Sequence, residues 1–425
     1  EMRIITPKIA NLLNLKHLRH IIKSYLKFTE NDMKIYELGT GYTSIPAKVA
    51  AATESVVEEL TKAFLQMNID VEAVDISAED RAPNSLPITE VKVPSVFSKS
   101  DVSLGVIHKV KRVVYSVALA LKLKKILKNT DQKTVFHFHN QYNIFFFLKL
   151  VKKELRDRAV IAYTNHNGVW SLPFEEAEST LKARYFQEIE GMRNADLIFV
   201  LNPKMKKNIV KNLGIEENKV VQINNGVNTD IYTPLNSERI DTVKEKFGLK
   251  DKKVILQVGS VNENKGQGRT VKIIAPLLKK NSNIVFVFAG DIVSPEYYHE
   301  VLNTAKEENV EKQVVYLGTF SPGEEMNEIY NIADTTIFNS LYESFGLVCI
   351  ESISSGVPVV LCSESLSSFG DGSIYAVKDD AVAQITRLLN DSDYLKDMKQ
   401  KARENAVDNF TWSKVAQDYY DNFKR

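Results

Sequence analysis

The chain has 425 residues and a mass of 48.1 kDa, which at about 150 residues per domain predicts two or three domains with sizeable cores. Its 44% hydrophobic and 26% charged composition is that of a folded globular protein, and 55 Lys+Arg against 54 Asp+Glu exclude a globally basic nucleic-acid binder. Cys349 and Cys362 show neither a CxxC nor a Cys/His ligand spacing, which speaks against a disulfide framework or a structural zinc site and for a reducing compartment, read as cytoplasm.

Residues 1–32 read as a basic amphipathic extension. Lys8, Lys16, Arg19, Lys23 and Lys27 stand without an acid among Ile9, Leu12, Leu13, Leu18, Ile22 and Leu26, at three- and four-residue intervals. The segment lacks the compact apolar core of a signal peptide, and no apolar run approaches the ~18 residues of a membrane-crossing helix. Electroneutrality is a cancellation. Residues 1–235 hold 33 basic and 26 acidic groups, net +7, and the remainder holds 22 and 28, net −6. Between 105 and 128 lie seven cations, no acid and a helical apolar series through Val110, Val113, Val114, Val117 and Leu121. That series is expected to pack on the core with the lysines solvated. The competing reading lays 8–27 and 105–128 on an anionic membrane surface.

From Lys34 onward, short apolar runs alternate with helical patterns. Lys34–Leu38 leads through Gly39-Thr-Gly41 into a helix with Val56, Val57 and Leu60, then a strand over Asp70–Ile76. Strand-like runs recur at Thr134–Phe138, Val160–Tyr163, Leu197–Leu201 and Val220–Ile223. The scheme restarts at Val254–Val258 and continues through Ile284–Phe288, Val314–Tyr316, Thr335–Phe338 and Val357–Leu361. This βαβ order predicts an α/β fold of two Rossmann-like parallel-sheet domains. Ligands of such sheets bind beyond the carboxyl ends of the strands, so the chemistry is expected in an interdomain cleft.

The segment Ser340-Leu-Tyr-Glu-Ser-Phe-Gly-Leu-Val-Cys-Ile-Glu351 carries the strongest signal. Glu343 falls in a loop after a strand, Gly346 opens a helix, and Glu351 lies eight residues on. The free N–H groups at that helix start, from Gly346 through Leu347 and Val348, suit a diphosphate. In the first half, Gly39 and Gly41 sit at a βα turn, where glycine serves tight geometry as readily as phosphate.

With Gly356-Val-Pro-Val359 following, this segment resembles the E-x7-E signature of the retaining GT-B glycosyltransferases of family GT4. Asn225-Gly-Val-Asn228, the Val258–Gly266 loop, Ala289-Gly-Asp291, Leu317-Gly318 and Phe410-Thr-Trp412 are similar to further family segments, as are Val135-Phe-His-Phe-His139 and Thr164-Asn-His-Asn167. The resemblance covers about residues 33–425 and implies an acceptor domain over 33–235, a nucleotide-sugar domain over 236–405, and a helix over 406–425 returning to the first domain. It implies that Glu351 binds the donor's ribose, that Glu343 contacts the donor sugar, that Lys265 neutralises the departing diphosphate and that His166 adjoins the sugar from the other domain. Gly259, Ser260 and Gly290 would border the donor. The donor is expected to be UDP-linked and the acceptor a glycan or lipid-linked molecule, with no nucleic-acid partner and a peripheral position on the inner face of a membrane.

No metal or other cofactor is expected. Asp391-Ser-Asp393 reads as a helix cap. His137 and His139 share a strand face, but the sequence shows no carboxylate or third histidine beside them. Trp170 and His139 are candidates for the acceptor side. Ser260 stands where the family carries an arginine, with Arg269 weighed as its substitute or as a solvent-facing helix residue. That departure leaves open a catalytically impaired sugar-nucleotide-binding subunit, and a sugar-nucleotide epimerase is a further alternative on the same two-domain plan.

Overall fold

The computed structural model describes residues 33–46, 52–98, 106–172, 182–363, 366, 369–376 and 378–425. The helix expected in 1–32 lies outside the described residues, as does Gly105 at the start of the 105–128 stretch.

Seven strands form the first sheet: β1 (Met33–Leu38), β2 (Val71–Ile76), β3 (Ile88–Val91), β4 (Lys133–Phe138), β5 (Ala159–Asn165), β6 (Leu197–Val200) and β7 (Val220–Gln222). Their order is β3-β2-β1-β4-β5-β6-β7, and every pair is parallel. The near-continuous apolar runs of the inner strands suit this, because both faces of a parallel sheet are covered. The chain winds outward from β1 through β2 to β3, then crosses back to β4 on the other side of β1. That reversal makes a topological switch point between β1 and β4. The register there sets Glu37 beside His137.

The second sheet repeats the plan with β8 (Lys253–Val258), β9 (Ile284–Ala289), β10 (Val314–Tyr316), β11 (Thr335–Phe338), β12 (Val359–Leu361) and β13 (Ser373–Tyr375). Its order, β10-β9-β8-β11-β12-β13, is again all parallel and places the switch between β8 and β11. Two parallel Rossmann-like sheets are therefore present, matching the fold class read from the sequence.

The helices that matter for the site are α1 (Ala52–Gln66), α2 (Val106–Asn129), α3 (Gln267–Lys280), α4 (Leu347–Ser354), α5 (Ser392–Asn409) and α6 (Trp412–Phe423). Asp391 caps α5 by accepting from the Tyr394 N–H at 2.9 Å. Arg403 on α5 donates to the carbonyls of Thr229, Tyr232 and Ser354 at 2.8–2.9 Å, fastening the chain between the sheets to the second one. Helix α6 then crosses to the first sheet. Val415, Ala416, Tyr419 and Phe423 are buried with Val56, Leu60 and Phe64 of α1 and Phe199 of β6.

Helix α2 packs on a different face from the one expected. Tyr115, Leu119, Leu123 and Leu127 are fully buried, whereas Ile107, Val110 and Leu121 are 65%, 48% and 54% exposed. The helix carries two apolar series at helical spacing, and the second lies uncovered beside Lys109, Lys125 and Lys128. The reading of Val110, Val113 and Leu121 as core residues is corrected accordingly.

Tyr419 is fully buried, with its ring 4.6 Å from Phe199 and 5.0 Å from His137. Tyr419→Ala is expected to destabilise the first lobe by about 3–5 kcal/mol through the cavity it leaves. Urea unfolding followed by hydrogen exchange in β1, β4 and β6 measures this; an unchanged midpoint would show that α6 is not part of that lobe's core.

Candidate active site

The switch point of the second sheet gathers the first charged cluster. After β8 the chain turns through Gly259 (φ +144°) and reaches Gly266 (φ +75°), where α3 begins. Residues 262–265 close this turn: the Lys265 N–H donates to Asn262 Oδ1 at 3.1 Å, and the Lys265 carbonyl accepts from Gln257 Nε2 at 2.8 Å. The loop after β11 is stitched to it. Leu341 N–H donates to the Asn264 carbonyl at 2.9 Å, and Asn264 exchanges two bonds with the Tyr342 backbone at 3.1 and 3.2 Å. These bonds bring together residues 78 apart in sequence, so that Lys265 Nζ forms an ion pair with Glu343 Oε1.

Arg269 is partly buried against the two loops and does not face solvent. Its guanidinium donates to the carbonyls of Glu263, Asn264 and Asn339 at 2.7–3.1 Å, holding the two loops together. Ser260 and Gly259 contribute backbone. Their carbonyls face Gln267 Nε2 at 3.1 and 3.4 Å, and Gly290 (φ +139°) lies so close that a side chain there would overlap Gly259.

Helix α4 starts at Gly346 in the left-handed region (φ +90°), which admits glycine without strain. Leu347 and Val348 supply first-turn N–H groups there, a favourable place for an anion. One turn on, Glu351 accepts from Tyr330 O–H at 2.7 Å. Burial raises its pKa, partly opposed by hydrogen bonds from Tyr330 and Tyr232. Lys265 thus pairs with the first carboxylate of this segment, and Glu351 lies on the helix that follows it.

The switch point of the first sheet holds a hydrogen-bonded histidine chain. Glu37 Oε1 accepts from His137 Nδ1 at 2.9 Å and Glu37 Oε2 from His139 Nε2 at 2.8 Å. His139 Nδ1 lies 3.0 Å from His166 Nε2, and His137 Nε2 lies 2.7 Å from Thr164 Oγ1, itself 3.1 Å from the Tyr419 hydroxyl. Burial would raise the Glu37 pKa, but the two imidazoles prevail and bring it to about 2. Burial, with the neighbouring His137, lowers His139 to about 4, and burial together with His139 and His137 takes His166 well below its ordinary value.

This corrects two expectations. A carboxylate and a third histidine do stand beside His137 and His139. Among the described residues, Glu37, His137 and His139 are a set whose ligand atoms all lie within 4.8 Å of one another. Each carboxylate oxygen already sits at hydrogen-bond length from one imidazole, so the set is complete as a proton-bonded cluster. His139, expected on the acceptor side, is buried with both ring nitrogens engaged. In the sequence Glu37 sits inside an apparent core strand. The one available signal was a carboxylate amid apolar neighbours.

Trp170 is also corrected. It is fully buried and donates its indole N–H to Glu188 Oε2 at 2.8 Å. Glu188 further accepts from Tyr163 O–H at 2.6 Å and Asn167 Nδ2 at 3.2 Å. Trp170 and Glu188 thus anchor the loop that carries His166. Gly39 and Gly41 are explained by packing within the first lobe: side chains would overlap Asp75 at Gly39 and the Tyr115 ring at Gly41. A hollow of about 390 Å³ borders Phe345, Phe369, Phe410 and Lys414, but none of Lys265, Glu343, Glu351 or His166 lines it.

The lobes meet where the His166 loop reaches the Glu343 loop. Ser171 Oγ donates to the Glu343 carbonyl at 3.1 Å, and Asn202 Nδ2 donates to the carbonyls of Glu343 and Ser344 at 3.3 and 2.8 Å. A Cβ at Gly168 would come within 2.8 Å of Glu343 and Ser344 backbone. Gly168→Val is expected to push the loops apart, raising hydrogen exchange over 341–346 at least severalfold while leaving that of β1 and β4 unchanged. Wild-type exchange in 341–346 would mean that the close approach does not hold the lobes together.

The family described as glycosyl transferases group 1 matches residues 239–405, and that described as glycosyltransferase family 4 matches residues 53–231. The chain is 30% identical over 186 residues to a D-inositol 3-phosphate glycosyltransferase of Corynebacterium aurimucosum, covering 42% of this chain and 43% of that one. It is 26% identical over 284 residues to the alpha-galactosylglucosyldiacylglycerol synthase of Streptococcus pneumoniae, covering 63% and 71% respectively. The chain spans 43–63% of the length of three of the curated relatives it matches. The Anabaena protein HepE, solved with UDP and glucose, superposes with a TM-score of 0.65 at 13% identity over 92% of this chain and 99% of that one, and this likeness in two facing sheets defines the GT-B fold here. With family 4 matching the first lobe and group 1 the second, the chain belongs to the GT-B glycosyltransferases of family 4.

Proposed function

We propose that this protein transfers a sugar from a UDP-linked donor to a glycan or lipid-linked acceptor with retention of configuration and without a metal ion. The observation that carries the reading is the meeting of Lys265, Glu343 and the start of α4 at one switch point. The His166 loop closes over the same Glu343 segment from the other lobe. Charge grows on the departing diphosphate as its bond to the sugar breaks. A cation and N–H groups already in place stabilise that charge without solvent rearrangement.

In this reading the diphosphate takes over Lys265 from Glu343, which frees the carboxylate to meet the donor sugar. Both partners are only partly exposed, so the exchange replaces one desolvated partner by another. Glu351, held by Tyr330, receives the ribose hydroxyls. The leaving phosphate accepts the proton of the attacking hydroxyl. UDP is favoured because HepE was solved with it. A lipid-linked acceptor is favoured by the name of the pneumococcal relative and by the uncovered apolar and lysine face of α2, which would rest on an anionic membrane.

Lys265→Ala is expected to lower UDP release from UDP-glucose by about 10²-fold or more, and Glu351→Ala to raise the donor KM more than it lowers kcat. Wild-type kinetics in both would remove these residues from the reaction. For α2, replacing Ile107, Val110 and Leu121 by serine is expected to abolish flotation with phosphatidylglycerol vesicles while leaving the melting temperature unchanged. Recovery equal to wild type would retire the membrane contact.

A further inference from the structure

We propose that Glu37 and His139 are positioning residues that hold His166 in the Nε2–H tautomer, so that His166 presents only a hydrogen-bond acceptor, Nδ1, to its ligand. The inference rests on the site described above and gives that site a defined polarity.

The argument follows the protons. Glu37 is buried and ionised, so both its oxygens accept. It can therefore face only imidazole N–H groups, and His139 must carry a proton on Nε2, 2.8 Å away. His139 is neutral, because its pKa lies near 4, and its Nδ1 is then a lone pair. His166 Nε2 lies 3.0 Å from that lone pair and must donate to it. His166 is itself neutral, so its proton is spent on His139 and Nδ1 is left to accept. Such a group takes a bond from a hydroxyl and has none to offer a phosphate or carbonyl oxygen, which suits a sugar. An acidic residue that sets an imidazole's tautomer through a hydrogen bond is a general device for placing an acceptor. Here the order passes through a second imidazole.

The far arm of the cluster is adaptable where the near arm is not. His137 Nε2 faces the Thr164 hydroxyl, which can turn to donate or accept. This separates three explanations. Glu37→Gln keeps one carbonyl oxygen for His139 and turns its amide NH2 to His137, whose proton moves to Nε2 with Thr164 accepting it. Glu37→Met has similar volume but no acceptor, so His139 moves its proton to Nδ1 and His166 must move its own from Nε2 to Nδ1. If the carboxylate acted by its charge, both variants would fail equally; if it acted by packing, Glu37→Met would be the milder.

The experiment is a long-range proton–nitrogen correlation spectrum of the full chain labelled with nitrogen-15 histidine, assigned with His166→Gln. The wild type is expected to show His166 as Nε2–H between pH 6 and 8, Glu37→Met to show Nδ1–H, and Glu37→Gln to restore Nε2–H. With UDP-glucose as probe, Glu37→Met should lower kcat at least about tenfold with donor KM moved less than about threefold, and Glu37→Gln should recover most of that loss. Should Glu37→Met not fold, His139→Phe keeps the ring shape, and His166 should then lose its single tautomer. An Nδ1–H or averaged His166 in the wild type, or an unmoved His166 in His139→Phe, would overturn the proposal. Stoichiometric uptake of added Zn²⁺ that is lost in Glu37→Gln would also overturn it, by making the cluster a metal site. The spectra need no donor, so an absence of turnover would count against the glycosyltransferase reading and leave the tautomer result standing.

Discussion

Each sheet winds outward from its first strand and then reverses, and that constraint decides where every charged group of the site can lie. In the first sheet β4 returns beside β1, and in the second β11 returns beside β8. The loops leaving these strand pairs diverge to opposite sides and leave a crevice at their carboxyl ends. Lys265 follows β8 and Glu343 follows β11; Glu37 ends β1 and His137 and His139 end β4. Residues about 80 to 100 apart in the chain become partners because parallel pairing sets them side by side.

Two kinds of polar cluster result, with different freedom. The Lys265 and Glu343 pair is partly exposed and rests on loops, so a ligand carrying negative charge can enter and exchange with the carboxylate. The Glu37 cluster is buried within strand ends and sealed by Tyr419 of α6. Every polar atom there must be matched internally, because an unmatched one would cost about 1–3 kcal/mol. The second cluster is thus suited to orient a group rather than to bind one, and His166, at its edge, is its partly exposed histidine. Trp170 and Glu188 hold the loop beyond it.

The course of the strands was legible, since inner parallel strands must be apolar along their whole length. Strands β3 and β13 were missed. Both are short edge strands, Ile88–Val91 and Ser373–Tyr375, in which Val91 alone is buried, and neither has an apolar run to mark it. The site was legible where a motif is local: Glu343, Gly346 and Glu351 share one loop and one helix. It was not legible where the partner is remote, as Glu188 is from Trp170 and Glu37 is from His139.

Helix α2 shows the same division in one element. Its sequence carries two apolar series, one through Tyr115, Leu119, Leu123 and Leu127 and one through Ile107, Val110 and Leu121. Periodicity establishes that both exist but not which is covered, because that depends on where the helix over Gln141–Leu150 packs. By itself the sequence determined the two parallel sheets and the helix start at Gly346, both of which follow from local pattern and backbone chemistry. Only the tertiary structure decided which apolar series of α2 is exposed, that Trp170 is a core anchor, and that Glu37 is bonded to both His137 and His139. Those outcomes depend on strand register and burial, which bring together side chains that no local pattern relates.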